Sequence, residues 1–179
     1  MLPSFRYHPD PIATGSVERS PTSCVCCERA RGFIYVGPVF AEEELSDELC
    51  PWCIADGSAA AKFDAVFTDP AGVGDYGTWS SVPPAVTAEI STRTPGFSGW
   101  QQERWFTCCH DAALFLGRAG RDELKALGDD AVAAIQRECG LEGDDWHDYL
   151  EALDNQGSPT AYVFRCARCN RIGGYSDCH

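Results

Sequence analysis

Along the second half of the chain, apolar positions recur at helical spacing. Between residues 121 and 139, Leu124, Leu127, Ala131, Val132 and Ile135 form a stripe with acidic residues opposite, which predicts a helix. A further short helix is expected over 144–153, with Trp146, Tyr149, Leu150 and Leu153 facing inward. Residues 111–117, with Ala112, Leu114 and Phe115, also read as helix, and 86–93 as a short strand. Strand-forming residues flank Cys166 and Cys169 on both sides, the pattern of a hairpin. Gly32-Phe-Ile-Tyr-Val-Gly-Pro-Val-Phe40 reads as strand that can turn at Gly37-Pro38, followed by an acidic stretch at 41–49 able to form a helical turn. Residues 69–84 mix Gly, Pro, Ser and Asp and read as a loop between two parts.

Composition sets the class. The 179 residues are 44% hydrophobic, 23% charged and 11% aromatic, which is globular rather than disordered. Net charge is −13 and the pI about 4.5, so a phosphate backbone or anionic lipid surface is repelled. Nucleic-acid binding would need Arg29, Arg31, Arg165, Arg168 and Arg171 to cluster on one basic face against that charge. Met1 to Pro11 lacks a basic run followed by an apolar stretch, and no window approaches the roughly 18 apolar residues of a span. The expectation is a soluble cytoplasmic protein.

Eleven cysteines then call for an explanation, because a reducing compartment does not sustain structural disulfides. Cys24 and Cys27, Cys50 and Cys53, and Cys166 and Cys169 each stand in CxxC spacing. The order of a CxxC turn, a strand segment and Cys50-Pro-Trp-Cys53 opening a helix describes a treble-clef-like zinc site. Zn²⁺ takes four tetrahedral ligands, two intervening residues let both sulfurs of a pair face one ion, and a helix N-terminus favours thiolate. Cys26 falls outside the spacing. A redox reading of Cys50 and Cys53 expects a preceding apolar strand and leaves Cys24 and Cys27 unexplained. Cys166 and Cys169 supply half of a second site, joined by Cys109. Its fourth ligand stays open among Cys108, His110, Asp111, Cys178 and His179, and adjacent cysteines are not expected to reach one ion together. An incomplete ligand set would leave a position for water, as a zinc hydrolase requires.

The fold class that follows is α+β: a treble-clef-like region over 1–68, a loop over 69–84, and a region over 85–179 with a helical middle and a zinc-knuckle hairpin, packed together as one unit. The segment from Arg93 to Trp105 offers a binding surface through Arg93, Trp100, Gln101 and Gln102. His8 and Asp10 suit either an acid–base pair or a rigid terminus packed across a domain. No phosphate loop, nucleophile elbow or dinucleotide fingerprint is present, and no catalytic residue is assigned.

Phe5-Arg-Tyr-His-Pro-Asp-Pro-Ile-Ala-Thr-Gly-Ser16, Arg31-Gly-Phe-Ile-Tyr-Val-Gly-Pro38, Cys50-Pro-Trp-Cys-Ile-Ala-Asp-Gly-Ser-Ala-Ala60, Arg93-Thr-Pro-Gly96 and Gly99-Trp-Gln-Gln-Glu103 resemble the CbrC family over nearly the whole chain. That resemblance implies a bacterial protein, linked through the family's naming member to colicin tolerance under an envelope-stress regulator. It brings no activity, substrate or catalytic residue. The function expected is a zinc-stabilised, non-enzymatic module for an unidentified protein partner, with the hydrolase as the alternative.

Overall fold

A computed structural model describes residues 1–74 and 76–178. The fold mixes helix and antiparallel sheet. Its centre is a three-stranded sheet of β5 (Leu114–Ala119), β6 (Thr160–Arg165) and β7 (Ile172–Asp177), in that spatial order. Side chains alternate across a strand, and β6 uses both faces. Tyr162 and Phe164 enter an aromatic core with Tyr7, Phe97, Trp105, Phe106, Phe115 and Tyr175. Ala161 and Val163 face the other way, toward Leu124, Ala131, Ile135, Trp146 and Leu150.

That second core is roofed by α4 (Arg121–Leu127), α5 (Asp129–Cys139) and α6 (Gly143–Ala152). The helix predicted over 121–139 is therefore two helices. Gly128, at φ +102, breaks the run, because that backbone is open to glycine and strained for other residues. The helix expected over 144–153 is present as α6, with Trp146, Leu150 and Leu153 buried.

Two readings are corrected. Residues 111–117 are strand, not helix: β4 (Asp111–Ala112) pairs with β3 (Thr107–Cys108), and β5 follows. Burial from Ala113 to Ala119 alternates with period two, and pairing with β6 overrides the helical propensity of Ala and Leu. Conversely, 86–93 belongs to α3 (Pro84–Arg93). Pro84 occupies a first-turn position where its missing N–H costs nothing, and Ile90 is fully buried one turn beyond Val86.

The N-terminal part has its own core of Val17, Ile34, Tyr35, Leu49, Ile54 and Phe67, shared with Cys24, Cys50 and Cys53. Here β1 (Val17–Arg19) pairs with β2 (Phe33–Tyr35), so the strand at 32–40 pairs backward and does not fold on itself at Gly37-Pro38. No helix forms over 41–49, and α1 (Pro51–Ala55) and α2 (Ser58–Phe63) come next. Among its described residues, the loop expected over 69–84 holds a 3₁₀ turn at Pro70–Gly72, and α3 begins at its last position, Pro84. The Tyr35 hydroxyl donates to Pro38 O at 2.8 Å and accepts the Gly96 N–H at 3.1 Å, joining this core to the remainder. No helix among the described residues is long and apolar enough to cross a membrane.

Candidate metal centres

Eight of the eleven cysteines gather into two groups of four, Cys24, Cys27, Cys50, Cys53 and Cys108, Cys109, Cys166, Cys169. Within each group the sulfurs lie within 4.8 Å of one another. In the first, Cys24–Cys53 and Cys27–Cys50 are 3.8 Å apart and Cys50–Cys53 3.6 Å. In the second, Cys108 lies 3.7 Å from Cys109 and 3.6 Å from Cys169. A tetrahedron of sulfurs at the usual zinc–sulfur bond length has edges of about 3.8 Å. Both groups are positioned to hold a metal ion.

Each group contains one knuckle of the same construction. Cys24 N–H donates to Arg29 O at 3.1 Å and Glu28 N–H to Cys24 O at 2.7 Å. Cys166 N–H donates to Arg171 O at 2.9 Å and Asn170 N–H to Cys166 O at 3.0 Å. Glu28 and Asn170 both sit in the left-handed region, at φ 59° and 60°, and turn the chain back after the second cysteine so that Arg29 O and Arg171 O meet the N–H of the first. The flanking residues also pair alike, Ser23 with Ala30 and Arg165 with Ile172.

The second pair differs between the groups. In the first, Cys50 precedes Pro51 at the start of α1, and one turn brings Cys53 beside it. In the second, β3 and β4 are joined by Cys109 and His110 alone, with Cys108 opposite Asp111. Both turn residues have positive φ, 57° and 56°, the geometry of a type I′ hairpin turn. The expectation that neighbouring cysteines stay apart is not met in this geometry: the turn sets Cys109 Sγ 3.7 Å from Cys108 Sγ, and Cys108 completes the group of four that could hold a metal ion. The signal was present in the alternation of Thr107, Cys108 and Asp111, Ala112 around two residues, though neither turn residue is the glycine or asparagine that usually marks such a hairpin.

The remaining candidates for that position are otherwise engaged or apart. The buried Asp111 carboxylate accepts from Arg6 Nη2 at 2.8 Å and Tyr7 Oη at 2.8 Å, with Arg168 at 3.6 Å. His110 and Cys178 are exposed and stand outside the four-sulfur group. His179 lies outside the described residues. Cys26 donates toward Ser58 Oγ at 3.6 Å and stays out of the first group, as its spacing predicts.

Electrostatics suit a cation. Burial pushes the Cys27 thiol up, but the Arg29 N–H and the neighbouring thiols outweigh it and bring it down to about 7. The Arg171 N–H and Cys166 bring Cys169 down to about 7 in the same way. Burial holds Cys50 at about 11 and raises Cys53 and Cys108 further. One thiolate per group forms readily, and each further charge crowded against it is unfavourable until a divalent ion neutralises the set. The groups differ in exposure: Cys24, Cys50 and Cys53 are core residues, whereas Cys109 and Cys169 face solvent.

The donors expected to meet a partner are used within the chain. Arg93 Nε bonds Ala55 O at 3.0 Å, Trp100 Nε1 bonds Gly157 O at 2.8 Å, Gln101 Nε2 bonds Cys178 O at 3.0 Å and Gln102 Nε2 bonds Asp69 Oδ2 at 2.7 Å. His8 is fully buried between Pro95 O at 2.7 Å and Thr14 Oγ1 at 2.6 Å. A carbonyl only accepts, so Nδ1 carries the proton and Nε2 accepts from Thr14. This is the packed-terminus reading, and Asp10 serves instead to accept the Ala13 N–H at 3.0 Å.

Comparison with known proteins brings a family. The model of the uncharacterised protein family UPF0167 matches residues 2–178. UPF0167 proteins of Mycobacterium bovis and Mycobacterium tuberculosis are each 49% identical over 181 residues, spanning 98% of this chain and 93% of the relative. A UPF0167 protein of Pseudomonas aeruginosa is 44% identical over 171 residues, spanning 95% of this chain and 93% of its own length. No solved structure matches.

Proposed function

The chain belongs to the bacterial UPF0167 family, and from that premise we propose that it is a zinc-stabilised, non-enzymatic module that binds a protein partner. The observation that carries the reading is the pair of four-cysteine groups with sulfur separations of 3.6–3.8 Å. Four thiolates at such separations favour zinc over hard cations, which prefer oxygen. A full set of protein ligands at both centres leaves no open position for water, and this weighs against the hydrolase alternative. The company of Cys24 and Cys27 weighs equally against a redox role for Cys50 and Cys53.

In this reading the N-terminal centre has the treble-clef plan, knuckle first and helix start second, and residues 1–68 and 85–179 work as one unit across the loop at 69–84. The exposed faces of Arg93 and Trp100 supply contact area, while their polar groups hold the surface in shape. Eleven free thiols support a reducing, cytoplasmic setting. The resemblance to the CbrC family supports a place in colicin tolerance, which a deletion strain challenged with colicin would reveal.

Native mass spectrometry tests the metal claim. Wild type should carry two zinc ions per chain, and Cys50→Ser and Cys166→Ser should each lose one. Metal-free wild-type protein that is nonetheless well folded would refute it.

A further inference from the structure

A cleft of about 790 Å³ opens beside the second centre. Four segments build it: the loop from Tyr76 to Ser80, the stretch from Phe106 to Cys109, one side of α5, and the start of β7. One wall is aromatic, with Trp79 edge-on to Phe106 at 5.2 Å. The facing wall carries Arg137 and Glu138 from α5, and Arg171 stands at the mouth next to the knuckle.

The floor is the outer edge of β7. Cys166 N–H donates to Arg171 O, so Phe164–Gly173 and Tyr162–Tyr175 are the bonded pairs of the ladder. Ile172, Gly174 and Ser176 therefore turn their N–H and C=O groups away from β6. The Ser176 N–H confirms the direction, meeting the Glu138 carboxylate at 3.3 Å. Glu138 thus closes one end of the edge, while Ile172 and Gly174 present theirs to the cleft. Gly173 and Gly174 add no side chain to obstruct it, and neither tolerates one: a Cβ on Gly173 would enter the Phe106 ring, and one on Gly174 would strike Tyr162 O.

Half-buried at Ile172 and buried at Gly174, this unpaired edge is a template for one more strand that enters the cleft between its walls. Arg137 and Arg171 are exposed and form no ion pair among the described residues, a local exception in a chain of net charge −13. The geometry points to an extended acidic peptide as the occupant, adding to the edge of β7 with carboxylates at Arg137 and Arg171 and an apolar side chain against Trp79 and Phe106. This rests on the protein-binding reading above and names the chemistry of the partner.

Panning a phage-displayed random peptide library against the full chain, purified with its metal, tests it. Selected sequences should carry Asp or Glu beside an apolar residue. A fluorescein-labelled selected peptide, followed by anisotropy, should bind the Arg137→Glu/Arg171→Glu variant about tenfold more weakly or worse. Replacing the peptide's acidic residues with lysine should restore binding to that variant. Ile172→Pro removes an outward N–H without touching the β6 ladder and should weaken binding comparably. Arg137→Glu alone, at an exposed helix position, reports should Ile172→Pro disturb the hairpin. Absence of an acidic consensus, binding that survives these substitutions, or equal competition by a small aromatic carboxylate such as N-acetyltryptophan would overturn the proposal. Native mass spectra separate the two readings: weakened peptide binding in variants that keep both ions supports the cleft, wild type that keeps both ions and selects no acidic peptide sinks only the cleft, and peptide binding by metal-free protein sinks only the zinc.

Discussion

His8 gives the residue scale its clearest consequence. Burial lowers its imidazole to about 4 from the ordinary 6.5, despite the Pro95 carbonyl and Asp10, which favour the charged ring. In the unfolded chain the ring titrates near 6.5, so between pH 6.5 and 4 the unfolded state holds one proton more. The contribution to stability is complete above that window and is lost as pH falls through it, at about 1.4 kcal/mol per pH unit. Chemical denaturation at pH 6.5 and 5.5 should register that loss in wild type, whereas His8→Asn, which keeps a donor for Pro95 and cannot titrate, should give a flatter profile. A sequence reader sees only a histidine between proline-rich neighbours. That its ring nitrogens meet residue 95 and Thr14 is decided by long-range packing.

At the scale of elements, the hairpin of β3 and β4 shows how the second centre is made and what it costs. Two residues other than glycine in left-handed backbone are each strained by about 1 kcal/mol, and the fold retains them because they place Cys109. His110→Gly should relieve half of that strain, raising stability by about 0.5–1 kcal/mol in thermal melts with metal content unchanged. Legibility varied in the same way from element to element. The CxxC pairs and the hairpin around Cys166 were readable because local spacing sets their geometry. Helix α6 was readable because its apolar period is unbroken. β5 was misread because Ala and Leu favour helix and only its neighbour β6 decides otherwise. α3 was misread because its β-branched residues favour strand, while Pro84 and the burial of Ile90 settle it as helix. The cleft had no signal at all, since its walls come from four separate segments.

Across the whole molecule, the two centres sit in different surroundings, one inside a hydrophobic core and one at the surface. A strong chelator should strip the exposed centre first and the buried one only after local opening. Hydrogen exchange read by mass spectrometry should then show residues 17–67 losing protection late and together, because Cys24, Cys50 and Cys53 are part of that core. Single-phase loss of both ions would contradict the ordering. The hydroxyl of Tyr35 has a further implication. It serves a half-buried carbonyl from its own side and a buried amide from the far side. Severing the backbone near Gly77, in the exposed loop, would therefore not release two independent pieces, since separation would break the buried Gly96–Tyr35 bond and expose the apolar surface around Tyr35 and Phe67 to water. Nicked chain should travel through a sizing column as a single peak and come apart only in denaturant.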